Sequence, residues 1–229
     1  MTNNLTLKGS KEKWYPASIS NLESHLNSFI VPILGFSKDK TYPLVKNLAY
    51  TLQYVEFLYK VVEDLNLSDV LHKQNIKSFV IHGAAVIEAI FQYLVVSSGH
   101  GSNTEWQSIN KFSSNQYKIG TDSFKNDTEI FIKLASPLPK EMTFDQLTKK
   151  VEAKKLLGSV NTLYKDISQV RKLRNRVHLQ GIDSAFDTDY NNFDNAKFEV
   201  MRRVLHGVLT SSVFGKSSHA KLFGYLAHS

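Results

Sequence analysis

The chain has 229 residues, of which 42% are hydrophobic and 21% charged, enough for a proper core in one large domain or in a domain with a substantial insertion. It contains no cysteine, which excludes a disulfide framework, thiolate zinc sites and a cysteine nucleophile. The formal net charge is +7, and its placement along the chain is more informative than its size.

The N-terminus, Met1-Thr-Asn-Asn-Leu5, carries no charged-then-apolar leader, and with the absence of cysteine this fits a cytoplasmic location. A helix is expected from Ser18 or Ser20, carrying Leu22, Leu26, Phe29 and Ile30 and ended by Pro32 and Gly35. Thr41 before Pro43 reads as the start of a long helix. Its stripe is Leu44, Leu48, Thr51/Leu52, Val55, Leu58, Val62 and Leu65, and Asn66 closes it. Ser68 is placed to cap the next helical stretch, which continues over Asn75–Val96 with apolar residues on most faces. The run Ser78–Ser98 contains His82, Glu88 and Gln92, and a membrane span would pay heavily for Glu88. It reads as a buried core helix, with no membrane partner expected.

From Gly99 to Pro139 the chain turns to Ser, Asn, Gly and Thr, and helical periodicity fades. Asp127–Leu134 reads as a strand that Glu105–Phe112 and Gln116–Ile119 can pair with, giving a small β insertion at about 100–139 in which Trp106 and Phe131 pack. Thr143-Phe-Asp-Gln146 is a capping box that opens a helix running to Gly158. The next helix is expected over Asn161–Leu179, followed by a polar loop or frayed turn over Asp183–Asp194. A last long helix runs to about Phe214 with Phe198, Met201, Val204, Leu205, Val208 and Leu209 in its stripe. The tail holds Leu222, Phe223, Tyr225 and Leu226, enough for a short helix packed on the body.

Nine basic residues fall between Asp145 and Gln180: Lys149, Lys150, Lys154, Lys155, Lys165, Arg171, Lys172, Arg174 and Arg176. The acids there are Asp145, Glu152 and Asp166, so +6 of the +7 lies in 36 residues. Such a concentration suits an anionic partner, most simply nucleic acid; the plainer alternative is a solvated pair of basic helices.

On a helical wheel, Leu163, Ile167, Val170 and Val177 form the buried stripe of Asn161–Leu179. Arg174 falls inside that stripe and His178 lies beside it at i+4, with Arg171 and Asn175 flanking. Lys172 and Arg176 point away. A guanidinium on an apolar stripe needs a partner. One reading is structural: Arg174 paired with an acid such as Glu88 of the central helix, and His178 a satisfied core histidine. The other is an Arg–His pair in a cleft, where His moves protons near neutral pH and Arg binds a phosphate.

Leu173-Arg-Asn-Arg-Val-His-Leu179, late on an amphipathic helix, resembles the signature of the HEPN (higher eukaryotes and prokaryotes nucleotide-binding) superfamily. That signature is an Arg, usually followed by a polar residue, with His after four to six intervening residues. The helix around Ile81-His-Gly-Ala-Ala-Val-Ile-Glu-Ala-Ile90 is similar to the family's central helix, and a further helix over Asp194–Phe214 follows. Asn175 favours Arg174 as the motif arginine, whereas spacing favours Arg171. Gln180 stands where the subtype paired with a nucleotidyltransferase antitoxin has Tyr.

The resemblance implies a single helical domain over 1–229, an antiparallel bundle of the HEPN type with a small β-hairpin insertion. It further implies a metal-independent endoribonuclease without cofactor, its composite site formed across a homodimer, in a toxin–antitoxin, abortive-infection or antiviral system with an antitoxin or defence partner protein. His178 would act as acid or base on the ribose 2′-OH or the leaving oxygen. Arg174 or Arg171 would hold the phosphate, and Asn175 would position them. Lys149, Lys150, Lys154, Lys172 and Arg176 would bind the RNA backbone. The family also contains catalytically silent modules that bind nucleic acid or a partner protein.

No GxxxxGK[ST], GxGxxG, HExxH or GxSxG pattern occurs. The eight histidines are scattered with none paired at ligand spacing, so no metal site is expected. Arg202 and His206 repeat the Arg-x₃-His spacing without the Asn, and read as chance. Arg203 is available to a basic surface.

Overall fold

Helical periodicity dominates the described chain, and one interrupting segment is built of strands. The computed structural model describes residues 6–7, 16–29, 38–158, 161–177, 188–214 and 219–227. Its longer helices are α1 (Ile19–Phe29), α2 (Lys38–Asp64), α3 (Asp69–Ser97), α4 (Phe144–Ala153), α5 (Asn161–Arg174) and α7 (Asn195–Leu209). Short helices α6 (Asp189–Asn192) and α8 (His219–Leu222) complete them. The protein is mostly helical, and it separates into two compact units, Met1–His100 with Thr143–Ser229, and Gly101–Met142.

In the first unit α3 is the hub. It packs against α2, α7, α4 and α5, and buries Ile76, Phe79, Val80, Ala84, Val86, Ile87, Ile90, Phe91, Leu94 and Val95. A helix surrounded by others can be apolar on most faces, which is why its stripe is indistinct. It is long and apolar enough to cross a membrane, but 56% of its most apolar window is buried inside the protein. It begins at Asp69, with Ser68 at the N-cap position as expected, though without a side-chain capping bond. A Cβ on Gly83 would lie 2.7 Å from Met201 Cε and 3.0 Å from Leu205 Cδ1, so the bare glycine lets α7 approach α3 closely.

The expected stripe of α2 is buried from Leu44 to Val62. The helix stops at Asp64, and Leu65–Asn66 (β2) instead pairs antiparallel with Thr6–Leu7 (β1). Leu22 and Leu26 of α1 pack on α2; Ile30, Pro32 and Gly35 lie outside the described residues. The capping box of α4 is complete: Gln146 N–H donates to Thr143 Oγ1 at 3.3 Å, and Thr143 N–H to Gln146 Oε1 at 3.0 Å. That helix ends at Ala153 and not at Gly158, because Lys155 takes a left-handed backbone (φ 52°) and a turn leads to Gly158 at φ 77°. α7 ends at Leu209, and a separate 3-10 turn, Ser212–Phe214, follows.

The C-terminal tail is fastened to this unit by Arg202 of α7. Its guanidinium donates to the carbonyls of Leu226 (3.3 Å) and Ala227 (2.7 Å) and to Glu199 (3.1 Å). Phe223 and Leu226 are buried. The second Arg-x₃-His spacing thus supplies a tail clamp.

The second unit is an antiparallel pair of long strands, β3 (Ser102–Ser113) and β6 (Asp127–Lys140), with a smaller pair, β4 (Tyr117–Ile119) and β5 (Asp122–Phe124), between them in sequence. Gln116–Ile119 therefore does not join the Asp127 strand: Tyr117–Ile119 folds back on its own neighbour, Asp122–Phe124, through a turn at Gly120 (φ 63°). Trp106 and Phe131 do not pack inside this unit; they are 52% and 49% exposed, since two strands alone cannot cover both faces of their own sheet.

Candidate functional site

Helix α5 is anchored by Leu163, Tyr164, Ile167, Val170 and Leu173, all buried, and packs on α3, α4 and α7. Tyr164 Oη donates to the carbonyl of Val151 at 3.3 Å, tying α5 to α4. A Cβ on Gly207 would meet Leu163 Cδ1 at 3.0 Å, so α7 lies close against the start of α5. These contacts fix the far end of α5, where the basic residues sit.

The α-helix stops at Arg174, and Asn175–Val177 is a single 3-10 turn. The wheel angles beyond Arg174 therefore do not hold. Arg176 is half-buried instead of pointing out, Asn175 is exposed, and Lys172 is exposed as expected. His178 lies outside the described residues. Arg171, Lys172 and Arg174 occupy the last turn of α5, where their charges complement the helix dipole.

Each of the two candidate motif arginines has a carboxylate partner. Arg174 Nη2 lies 2.9 Å from Glu88 Oε2 of α3, with side chains 40% and 25% exposed. The guanidinium is thus not sealed in the core. Its long stem carries it from the apolar stripe to a half-exposed position over α3. Arg171 Nη2 lies 3.2 Å from Asp145 Oδ1 of α4, and Lys149 Nζ lies 2.8 Å from Asp145 Oδ2. The Lys149 hydrogen bond, with Arg171's charge adding to it, holds the Asp145 carboxyl below its ordinary range.

Sequence reasoning named Glu88 as the partner of Arg174 but missed Asp145 as the partner of Arg171. The capping box puts Asp145 in the first turn of α4, but no local signal sets that turn against α5.

The basic cluster is partly neutralised. Lys149 shares Asp145 with Arg171, and Lys150 Nζ donates to the carbonyl of His100, 2.8 Å away, just past the C-terminus of α3. Arg203 is bound to Asp166 of α5 at 2.8 Å, so it does not add a free charge to a basic face. Lys154, Lys155, Lys165 and Lys172 are exposed, with no carboxylate partner among the described residues. No group of three or more His, Asp or Glu side chains that could hold a metal ion occurs among the described residues.

The arrangement can present one half-exposed guanidinium, oriented by Glu88, beside exposed amide and ammonium groups, which is the equipment for holding a phosphate. No family model, curated protein or solved structure matches the chain.

Proposed function

We propose that the chain is a metal-independent endoribonuclease of the HEPN type, acting as a homodimer in a toxin or antiviral defence system in the cytoplasm. The observation that carries this reading is Arg174. It closes a well-anchored helix, is 40% exposed, and among the described residues spends one terminal nitrogen on Glu88. Its remaining N–H groups are then left for a phosphate.

In this reading Arg174 holds the scissile phosphate and its developing charge. His178 takes the proton of the ribose 2′-OH. The 2′-oxygen bonds to phosphorus, the bond from phosphorus to the 5′-oxygen breaks, and that oxygen gains a proton. The products are a 2′,3′-cyclic phosphate and a 5′-hydroxyl. Asn175, exposed just beyond Arg174, positions the arginine or the histidine, and Arg171 backs the phosphate. Lys149, Lys154 and Lys172 bind the flanking backbone, with Lys150 and Arg176 held closer to the body.

A second reading, a non-catalytic HEPN-like module that binds nucleic acid or a partner protein, is favoured by one observation. Arg171 and Arg174 are both already charge-paired, which lowers the net positive potential they offer. Incubating the full chain with total RNA in EDTA separates the two. Cleavage lost in both Arg174→Ala and His178→Ala supports the nuclease. Salt-sensitive RNA binding without cleavage supports the module and overturns the nuclease.

A further inference from the structure

The Gly101–Met142 unit leaves a long strand edge open. Its main sheet has two strands, so β6 is paired with β3 on one side and has no strand on the other among the described residues. The exposed side chains include Trp106, Ile109, Phe112, Ile130, Phe131 and Ile132, an apolar set that two strands cannot cover themselves. Such an edge is a template for another strand.

The edge is also selective along its length. Pro137 and Pro139 lack backbone N–H groups and so block pairing at the C-terminal end of β6. That leaves Asp127–Ala135, rich in β-branched and aromatic residues, as the pairing stretch.

The charges on this stretch say what fits it. Laid antiparallel against itself about Phe131, the segment places Glu129 opposite Lys133 of the second copy, and Ile130 opposite Ile132. Within one chain, Lys111 Nζ lies 3.2 Å from Glu129 and Lys133 Nζ 4.0 Å from Glu105. Joining two copies through β6 would therefore set Glu129, paired with Lys111 in its own chain, against Lys133 of the second copy, whose direct partner on β3 is Trp106 with Glu105 beside it at 4.0 Å. Any other register by one residue moves Ile130 and Ile132 to the opposite face and sets Glu129 against an uncharged residue.

We propose that the Asp127–Ala135 edge of β6 is a self-association surface, pairing antiparallel with the same edge of a second copy of this chain about Phe131. The inference rests on the strands alone and stands whether or not the chain cleaves RNA.

The test uses sedimentation of the full chain over a range of concentrations, with wild type, Glu129→Lys and Lys133→Glu. Across the proposed pairing each single variant sets like charges opposite one another twice, Glu129→Lys also meeting Lys111 of its own chain, and is expected to weaken self-association about tenfold. Mixed one to one, the two variants become complementary and are expected to restore it as a heterodimer. Circular dichroism and thermal melting establish that both variants remain folded. Because the chain has no cysteine, Phe131→Cys adds an independent measurement, with disulfide-linked dimers expected under mild oxidation. A monomeric wild type, self-association untouched by both single variants, or a mixture no tighter than its components would each overturn the proposal. So would binding of an unrelated strand or of RNA at this edge with no self-association.

Discussion

Arg174 Nη2 and Glu88 Oε2 lie 2.9 Å apart, joining the last turn of α5 to the middle of the central helix α3. The pair fixes where the guanidinium sits without burying it, since the Arg174 side chain is 40% exposed. An exposed pair of this kind contributes at most about 1 kcal/mol to stability, so its larger consequence is orientation. Glu88→Gln is therefore expected to change unfolding free energy by less than about 1 kcal/mol in urea titration. RNA cleavage is expected to drop about tenfold in kcat with KM little changed, a loss of positioning and not of binding.

The capping box gives a stability prediction that does not depend on function. Thr143→Ala removes the acceptor of the Gln146 N–H bond at the start of α4. The expected loss is about 1 kcal/mol by chemical denaturation. Thr143→Ser keeps the oxygen and is expected to stay near wild type.

Arg202 is expected to matter more. Its side chain is 11% exposed and donates to Leu226, Ala227 and Glu199. Arg202→Ala removes the donor to the Leu226 and Ala227 carbonyls and the Glu199 contact, at a cost of about 2 kcal/mol. Limited proteolysis should then cut the tail near Phe223 and Leu226 faster than in wild type.

Two histidines predict the pH dependence. Burial holds His82 below its ordinary value of 6.5, with Tyr54 edge-on to its ring at 4.9 Å. Burial, then the neighbouring Arg202 charge, lowers His206 in the same direction. A histidine whose folded pKa is depressed contributes stability that is full above the unfolded value and lost as pH falls through the folded value. Unfolding free energy is thus expected to fall from about pH 7 toward about pH 5. His82→Gln and His206→Gln should each flatten that slope; an unchanged slope in both would show that burial of these rings does not set it.

Much of the helical unit was legible because its signals are local. Period-3.6 stripes located α2, α5 and α7, a long run apolar on most faces located α3, and the Thr143–Gln146 spacing located the start of α4. The Arg174–Glu88 pair was legible for a physical reason: an arginine on an apolar stripe demands an acid, and Glu88 is the acid inside the most apolar helix. Arg171–Asp145 was not, because it depends on how α4 and α5 approach each other, which no periodicity encodes. Nor was the end of α5 at Arg174, where neither Gly nor Pro marks the change to a 3-10 turn. The exposed Trp106 and Phe131 went against expectation because alternation reports strands but not whether a second layer covers them. The Arg202 clamp looked like a stray repeat, since its acceptors are backbone carbonyls that any sequence provides.

The most direct measurement is the chemistry of the ends produced from a defined RNA oligonucleotide by the full chain in EDTA. Nuclease action through Arg174 gives fragments ending in 2′,3′-cyclic phosphate and beginning with 5′-hydroxyl, no cutting at a 2′-deoxy position, and no cutting by Arg174→Ala. Fragments with 3′-hydroxyl and 5′-phosphate ends, cleavage that survives Arg174→Ala, or no cleavage at all would contradict it.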